Sequence, residues 1–228
     1  MKKIILIVSL SVSCFTVFGQ EIRNYLGDVY FVPGKYKTIY NSPEGSPYLN
    51  EEFVPAKINN ISDTQLVRFD AVLGNVEVMI TGSKVVALDN SKTYAISLVD
   101  GSNKVYKTLE YTDVDGNENN SFFELLDSTL NYKLYLKENK KFFKKVKAQG
   151  YAEETPAQFK KVKSDFYVTD FKSQSDRLIY IPQKLKPFTE FFQKDSKSIK
   201  NFIKENKLNI DDANDVVKIF KFYYEQLN

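Results

Sequence analysis

The sequence predicts an α+β protein, mainly antiparallel β, that ends in a helical hairpin packed on the sheet. Three observations carry this. From residue 52 to residue 182, short runs rich in β-branched and aromatic residues alternate with turn-forming pairs. No helical period separates these runs, so consecutive strands are expected to pair as an antiparallel meander. After residue 182 the apolar period changes from two to three and four. The meander is expected to form a curved sheet, a sandwich or a partly closed barrel. The chain divides into an export signal at 1–19, a β body at 20–182 and a helical tail at 183–228. Body and tail are expected to share one structural domain.

The first segment has the parts of a secretory signal. Lys2 and Lys3 supply positive charge, Ile4 to Val12 supply the apolar stretch, and Val17-x-Gly19 supplies the small-residue pattern that places Gln20 first after cleavage. The apolar run is too short for a stable transmembrane helix. A lipoprotein anchored through Cys14 is the alternative, but Ser11 stands where a lipobox requires an aliphatic residue. Turns follow at Pro33-Gly34 and across the segment from Asn41 to Pro47. Expected strands then cover 54–61, 65–71, 76–81, 84–88, 93–99, 104–112, 121–126, 131–145, 165–171 and 177–181. Gly74-Asn75, Gly82-Ser83, Asp89-Asn90, Asp100-Gly101 and Asp115-Gly116 separate several of them, each a good turn former.

In the tail, Pro187 is expected to open one short helical turn. Ser196 is expected to cap a helix with Ile199, Phe202 and Ile203 on its apolar face, stopping at Asn206. A second helix is expected from Asn209 or Asp211, with Asp211, Asp212 and Asp215 placed favourably near its N-terminus. Its apolar residues, Val216, Val217, Ile219, Phe220, Tyr223, Tyr224 and Leu227, are too many for an isolated helix in water.

Gly45-Ser46-Pro47-Tyr48-Leu49-Asn50-Glu51-Glu52-Phe53, Phe122-Phe123-Glu124-Leu125-Leu126 and Phe202-Ile203-Lys204-Glu205-Asn206-Lys207-Leu208-Asn209 resemble a group of uncharacterised exported β-rich proteins of Bacteroidota-type bacteria. The resemblance implies an envelope location and a β body with a helical tail. It implies no activity and transfers no functional residues.

Composition removes most catalytic chemistry. The chain has no His, no Trp and one Cys, which lies within the signal. Ser-His and Cys-His nucleophile pairs are therefore excluded, as are metal sites of the usual His/Cys type. No serine is followed by Lys in an S-x-x-K pattern, and no G-x-G occurs. Carboxylate chemistry and oxygen-ligated cations survive. No cofactor is expected. Arginine appears at positions 23, 68 and 177 alone. That scarcity, with export, argues against nucleic acid as a partner.

Three features are candidate sites. Asp113 to Glu124 approaches a calcium loop, but Glu118 occupies the position that needs glycine for its bend. A polar hairpin tip is the expected alternative. Between Asn131 and Lys163, ten lysines face three glutamates, a local formal charge of +7. Lys137, Lys140, Lys141, Lys144 and Lys145 are the candidate patch for an anionic ligand, against a solvated sheet face or a lysine-protected edge. The 18 Phe and 15 Tyr are expected to serve mainly as core. Paired carboxylates for glycan hydrolysis cannot be read from sequence, because spatial separation defines them.

The expected function is that of a non-enzymatic accessory or binding protein of the cell envelope, periplasmic or associated with the outer membrane. Its partner would be an envelope protein, an anionic glycan or a lipid, and the mature chain would have no transmembrane segment. The alternatives are a carboxylate-dependent glycan hydrolase and a surface adhesin.

Overall fold

The computed structural model describes residues 43–59, 61–80, 84–113, 115–129, 132–147, 154–169 and 178–227. The expected signal, Cys14, Gln20, the turns from Pro33 to Ser42 and the Leu227 side chain lie outside the described residues.

Ten strands form in chain order: β1 Val54–Ile58, β2 Gln65–Asp70, β3 Asn75–Ile80, β4 Lys84–Ala87, β5 Ala95–Leu98, β6 Val105–Thr112, β7 Glu118–Asp127, β8 Leu134–Phe143, β9 Gln158–Thr169 and β10 Leu178–Ile181. Their spatial order is β4-β3-β2-β1-β5-β6-β7-β8-β9-β10. Every neighbouring pair in this order is antiparallel. The order departs from a simple meander at one place: β1 sits between β2 and β5, through Pro55↔Leu66 on one side and Lys57↔Ser97 on the other. Pro55 is tolerated in this inner strand because it stands at the outermost rung beside β5, where its carbonyl still accepts from Val99 N at 2.8 Å and only the terminal donor is missing.

The sheet then curls on itself. Leu178 of β10 pairs in parallel with Tyr111 of β6, which closes β6–β10 into a five-stranded ring without regular barrel geometry. The ring interior holds Phe123, Tyr135, Tyr167 and Leu178, with Tyr111 and Tyr180 packed against them. β1–β5 close over the other side of β6 and β7, around Val67, Phe69, Ile96, Tyr106 and Phe122. β7 therefore buries both faces: Phe122 belongs to one core and Phe123 to the other. Gly74, at φ +69° in the β2–β3 turn, lies against β7, and a Cβ there would stand 2.6 Å from Ser121 Oγ.

The tail forms α1 Leu185–Glu190, α2 Ser196–Glu205 and α3 Ala213–Phe222. α1 begins two residues before Pro187. The proline falls within the first turn, where its missing N–H has no intrahelical acceptor to lose. Ser196 is not the cap of α2. A 3-10 turn at Gln193–Asp195 runs directly into the helix, so Asp195 takes the cap position and Ser196 is already helical. α2 stops at Asn206, as the sequence suggests. Lys207 adopts φ +53°, Leu208 N donates to Ile203 O at 2.9 Å, and Lys207 N donates to Lys204 O at 3.3 Å. This is a Schellman ending with a lysine in the left-handed position. Asp212 caps α3 by accepting from Asp215 N at 3.1 Å.

The helices pack on the outer face of β8–β10. Leu134, Phe166, Val168 and Ile181 from the strands meet Phe188, Phe192, Ile199, Val216, Ile219 and Phe220 from the tail. Each buried Phe contributes about 2–3 kcal/mol by area, so the tail is integral to the fold. No helix among the described residues is long and apolar enough to cross a membrane.

Candidate functional site

β8 and β9 outrun their neighbours. β7 pairs with β8 only from Leu134 to Leu136, and β10 pairs with β9 only from Phe166 to Thr169. Beyond them, Lys137–Phe143 and Gln158–Asp165 continue as a two-stranded arm, joined near its far end by Glu44, which bridges Gln158 in parallel through hydrogen bonds to Ala157 O and from Phe159 N. At about 3.3 Å per residue the arm projects about 20 Å. A register shift between Lys137 and Asn139 bends it. Lys140 N then meets Ala71 O of the β2–β3 turn at 3.3 Å. Between the arm, that turn and the open end of the ring lies a cleft of about 600 Å³.

The cleft is lined by residues from three strands, β6, β8 and β9, and from two turns. Tyr111 and Tyr167 form its aromatic floor, in edge contact at 5.6 Å. Lys137 rises beside them, its ammonium 5.5 Å from the Tyr111 ring centroid. It donates to Asn139 Oδ1 at 2.6 Å, and Asn139 Nδ2 donates to Asp165 Oδ2 at 2.7 Å and to Lys163 O at 3.1 Å. The Asn139 amide thus bridges Lys137 and Asp165, which are cross-strand partners. Burial lowers the Lys137 pKa from the ordinary lysine value, opposed by the charges of Asp165 and Asp113. Lys141 lines the same cleft.

Asp113 marks the end of β6 at the cleft wall, and its carboxylate is occupied by its own turn. Oδ1 accepts from Asp115 N and Asn117 N, both at 2.9 Å, and Oδ2 accepts from Asn119 Nδ2 at 3.0 Å. The Asn117 backbone hydrogen bond is the main reason that its pKa lies below the ordinary carboxylate value. The segment is a polar hairpin tip. Glu124, the twelfth position of the calcium pattern, is six strand residues beyond Glu118, about 20 Å along β7, and its carboxylate holds Lys104 at 2.8 Å. It cannot share a cation with Asp113. Among the described residues, no three carboxylates are grouped to hold a metal ion.

The five candidate lysines separate in space. Lys137 and Lys141 line the cleft. Lys140 also borders it, but its ammonium donates to Ser46 O at 3.0 Å and to Tyr48 O, tying down the segment before β1. Lys144 and Lys145 lie beyond the strand end, outside the cleft, and Lys145 pairs with Glu154 at 2.7 Å. Asn139, Asp165, Tyr111 and Tyr167 were not singled out by sequence. The signal that would find them is the register of β8 against β9, which places Asp165 opposite Lys137.

No protein-family model, curated protein or solved structure matches this chain.

Proposed function

We propose that this is a non-catalytic binding protein of the cell envelope that takes an anionic saccharide into the cleft at the mouth of the ring. The observation that carries the reading is Lys137. It is half-buried, and its hydrogen-bond acceptor among the described residues is a neutral amide. Two of its three donors remain for a ligand. A carboxylate or phosphate on a sugar would meet Lys137 and Lys141, and a pyranose face would pack on Tyr111. The envelope address rests on the signal-like start and on the resemblance to exported proteins. Calorimetric titration with uronate-bearing oligosaccharides and their neutral counterparts tests it. Acidic sugars should bind and neutral ones should not. Lys137→Met should reduce affinity about ten-fold or more, the loss expected for one charge-assisted contact. Unchanged binding in that variant removes the assignment.

A hydrolase is the second reading, favoured by one observation: Asp113, Asp115 and Asp165 line the same cleft. Against it, Asp113 is saturated by its own turn and shifted away from the raised pKa a general acid needs. Release of reducing ends from acidic polysaccharide, abolished by Asp165→Asn, would replace binding with catalysis.

A further inference from the structure

We infer that the end of the β8–β9 arm docks on an anionic phospholipid surface. The residues that carry it, within 143–147 and 154–160, lie past the cleft, while Lys141 lines the cleft and borders both.

Charge is concentrated at this end. Residues 141–161 hold six lysines against two acids, Glu153 and Glu154, and Glu154 is engaged by Lys145. Lys161 is held by Glu138 at 2.7 Å, and Glu44 borders the arm through its bridge to Gln158. Lys141, Lys144, Lys147 and Lys160 are exposed and have no ion-pair partner among the described residues. The ladder places Lys140 directly opposite Lys161, and Lys141 directly opposite Lys160. Like charges directly opposed across strands are destabilising. Lys161 is offset by Glu138 and Lys140 by the Ser46 and Tyr48 carbonyls, so Lys141 with Lys160 is the pair left without a counter-charge among the described residues.

Apolar residues stand among these cations. Phe143 is 43 % exposed and Val146 is 59 % exposed, the highest value among the exposed large hydrophobics. Their positions are fixed, since Phe143 pairs with Gln158 and Val146 exchanges two backbone hydrogen bonds with Thr155. The adjacent Phe142 instead turns to Phe159 at 5.2 Å, so the doublet divides its roles. Two exposed apolar residues set among lysines toward the end of the arm match a bilayer with acidic headgroups. The lysines meet phosphate charge while Phe143 and Val146 enter the interface.

The chain has no tryptophan, so Phe143→Trp creates a single reporter. The test uses the exported protein, its N-terminus fixed by intact mass, with vesicles of phosphatidylcholine alone or mixed with phosphatidylglycerol. Mixed vesicles should blue-shift the Phe143→Trp emission and expose it to a bilayer-borne quencher. Val99→Trp, at an exposed site on the β5 side, should show neither effect. Sedimentation with mixed vesicles should fall about ten-fold in Lys144→Glu with Lys147→Glu, and should weaken with salt. Equal binding to phosphatidylcholine alone overturns the inference. So does an unshifted Phe143→Trp, or a response shared by Val99→Trp. Absence of vesicle binding overturns it in favour of an acidic protein as occupant.

Discussion

Arg68 lies over the ring of Tyr48, 3.5 Å from its centroid, and the same guanidinium donates to Glu77 Oε2 at 2.7 Å. Phe53 covers the guanidinium at 4.4 Å, and Tyr48 Oη donates to Glu77 Oε1 at 3.2 Å. Arg68 also donates to Glu51 O at 3.3 Å. Tyr48, Glu51 and Phe53 belong to the segment that leads into β1, while Arg68 and Glu77 face each other across β2 and β3. A charged pair therefore fastens the start of the described chain onto the sheet. Glu77 is 2 % exposed, and Tyr48 and Arg68 supply hydrogen bonds to both of its carboxylate oxygens.

Removing Arg68 strands that carboxylate. Arg68→Met should cost about 3–5 kcal/mol, whereas the double variant Arg68→Met, Glu77→Leu should recover much of the loss. Urea unfolding of both variants measures this. A double variant as unstable as the single one would show that packing of the guanidinium, not its charge, matters.

Tyr48 sets a pH limit on the same contact. Burial, then the charge of Glu77, push its pKa up to about 12 from the ordinary 10, with Arg68 opposing. The unfolded chain releases the phenolic proton first. Stability is thus intact below pH 10 and is lost as pH rises from about 10 toward 12. Tyr48→Phe should flatten the melting-temperature profile in that window, after allowance for the other buried tyrosines.

Gly74 meets two demands at once: a left-handed φ and no room for Cβ against Ser121 Oγ. Gly74→Ala should destabilise by roughly 1–3 kcal/mol, from the conformation and the close contact together. Ser121→Gly in the Gly74→Ala background should restore the contact share and leave the conformational share. Equilibrium unfolding of the three proteins separates them.

Phe220 is 1 % exposed and packs against Phe192 at 5.3 Å and Tyr132 at 5.7 Å. Phe220→Ala should cost about 3–5 kcal/mol, while Lys221→Ala should change little. A tail deleted after Ile181 should leave Leu134, Phe166 and Val168 uncovered and the chain aggregated. A cooperative melt unchanged by that deletion would contradict the shared core.

Calcium should not stabilise the protein. The Asp113 oxygens already accept from Asp115, Asn117 and Asn119, and Glu124 is bound to Lys104 far along β7. Melts with millimolar calcium and with chelator should superimpose. A saturable upward shift, lost in Asp115→Ala, would reverse this reading.

The ten strand positions and the helical pair were legible in sequence because local chemistry determines them. β-branched and aromatic runs stop at residues that favour turns, and the apolar period changes once, before the tail. The first half of β9 was not legible. Gln158 to Ser164 offers only Phe159 and Val162 among lysines and polar residues, because β10 does not reach this far and most of the stretch faces solvent. β7 hid its geometry for the opposite reason: with a core on each face, Phe122-Phe123 shows no alternation. The hairpin tip at Asp113 was readable because its hydrogen bonds are local. Which strand lies beside which was not. β1 enters between β2 and β5, and β10 closes on β6, through backbone pairings whose partners are distant in sequence and carry no residue code. The cleft exists only by virtue of those pairings. Lys137, Asn139 and Asp165 come together through the β8–β9 register, and Lys140 is taken from its neighbours by carbonyls more than ninety residues away. A run of like residues in sequence became a cleft, a fastening and an exposed tip. Side-chain direction and strand neighbours are decided by packing, not by composition.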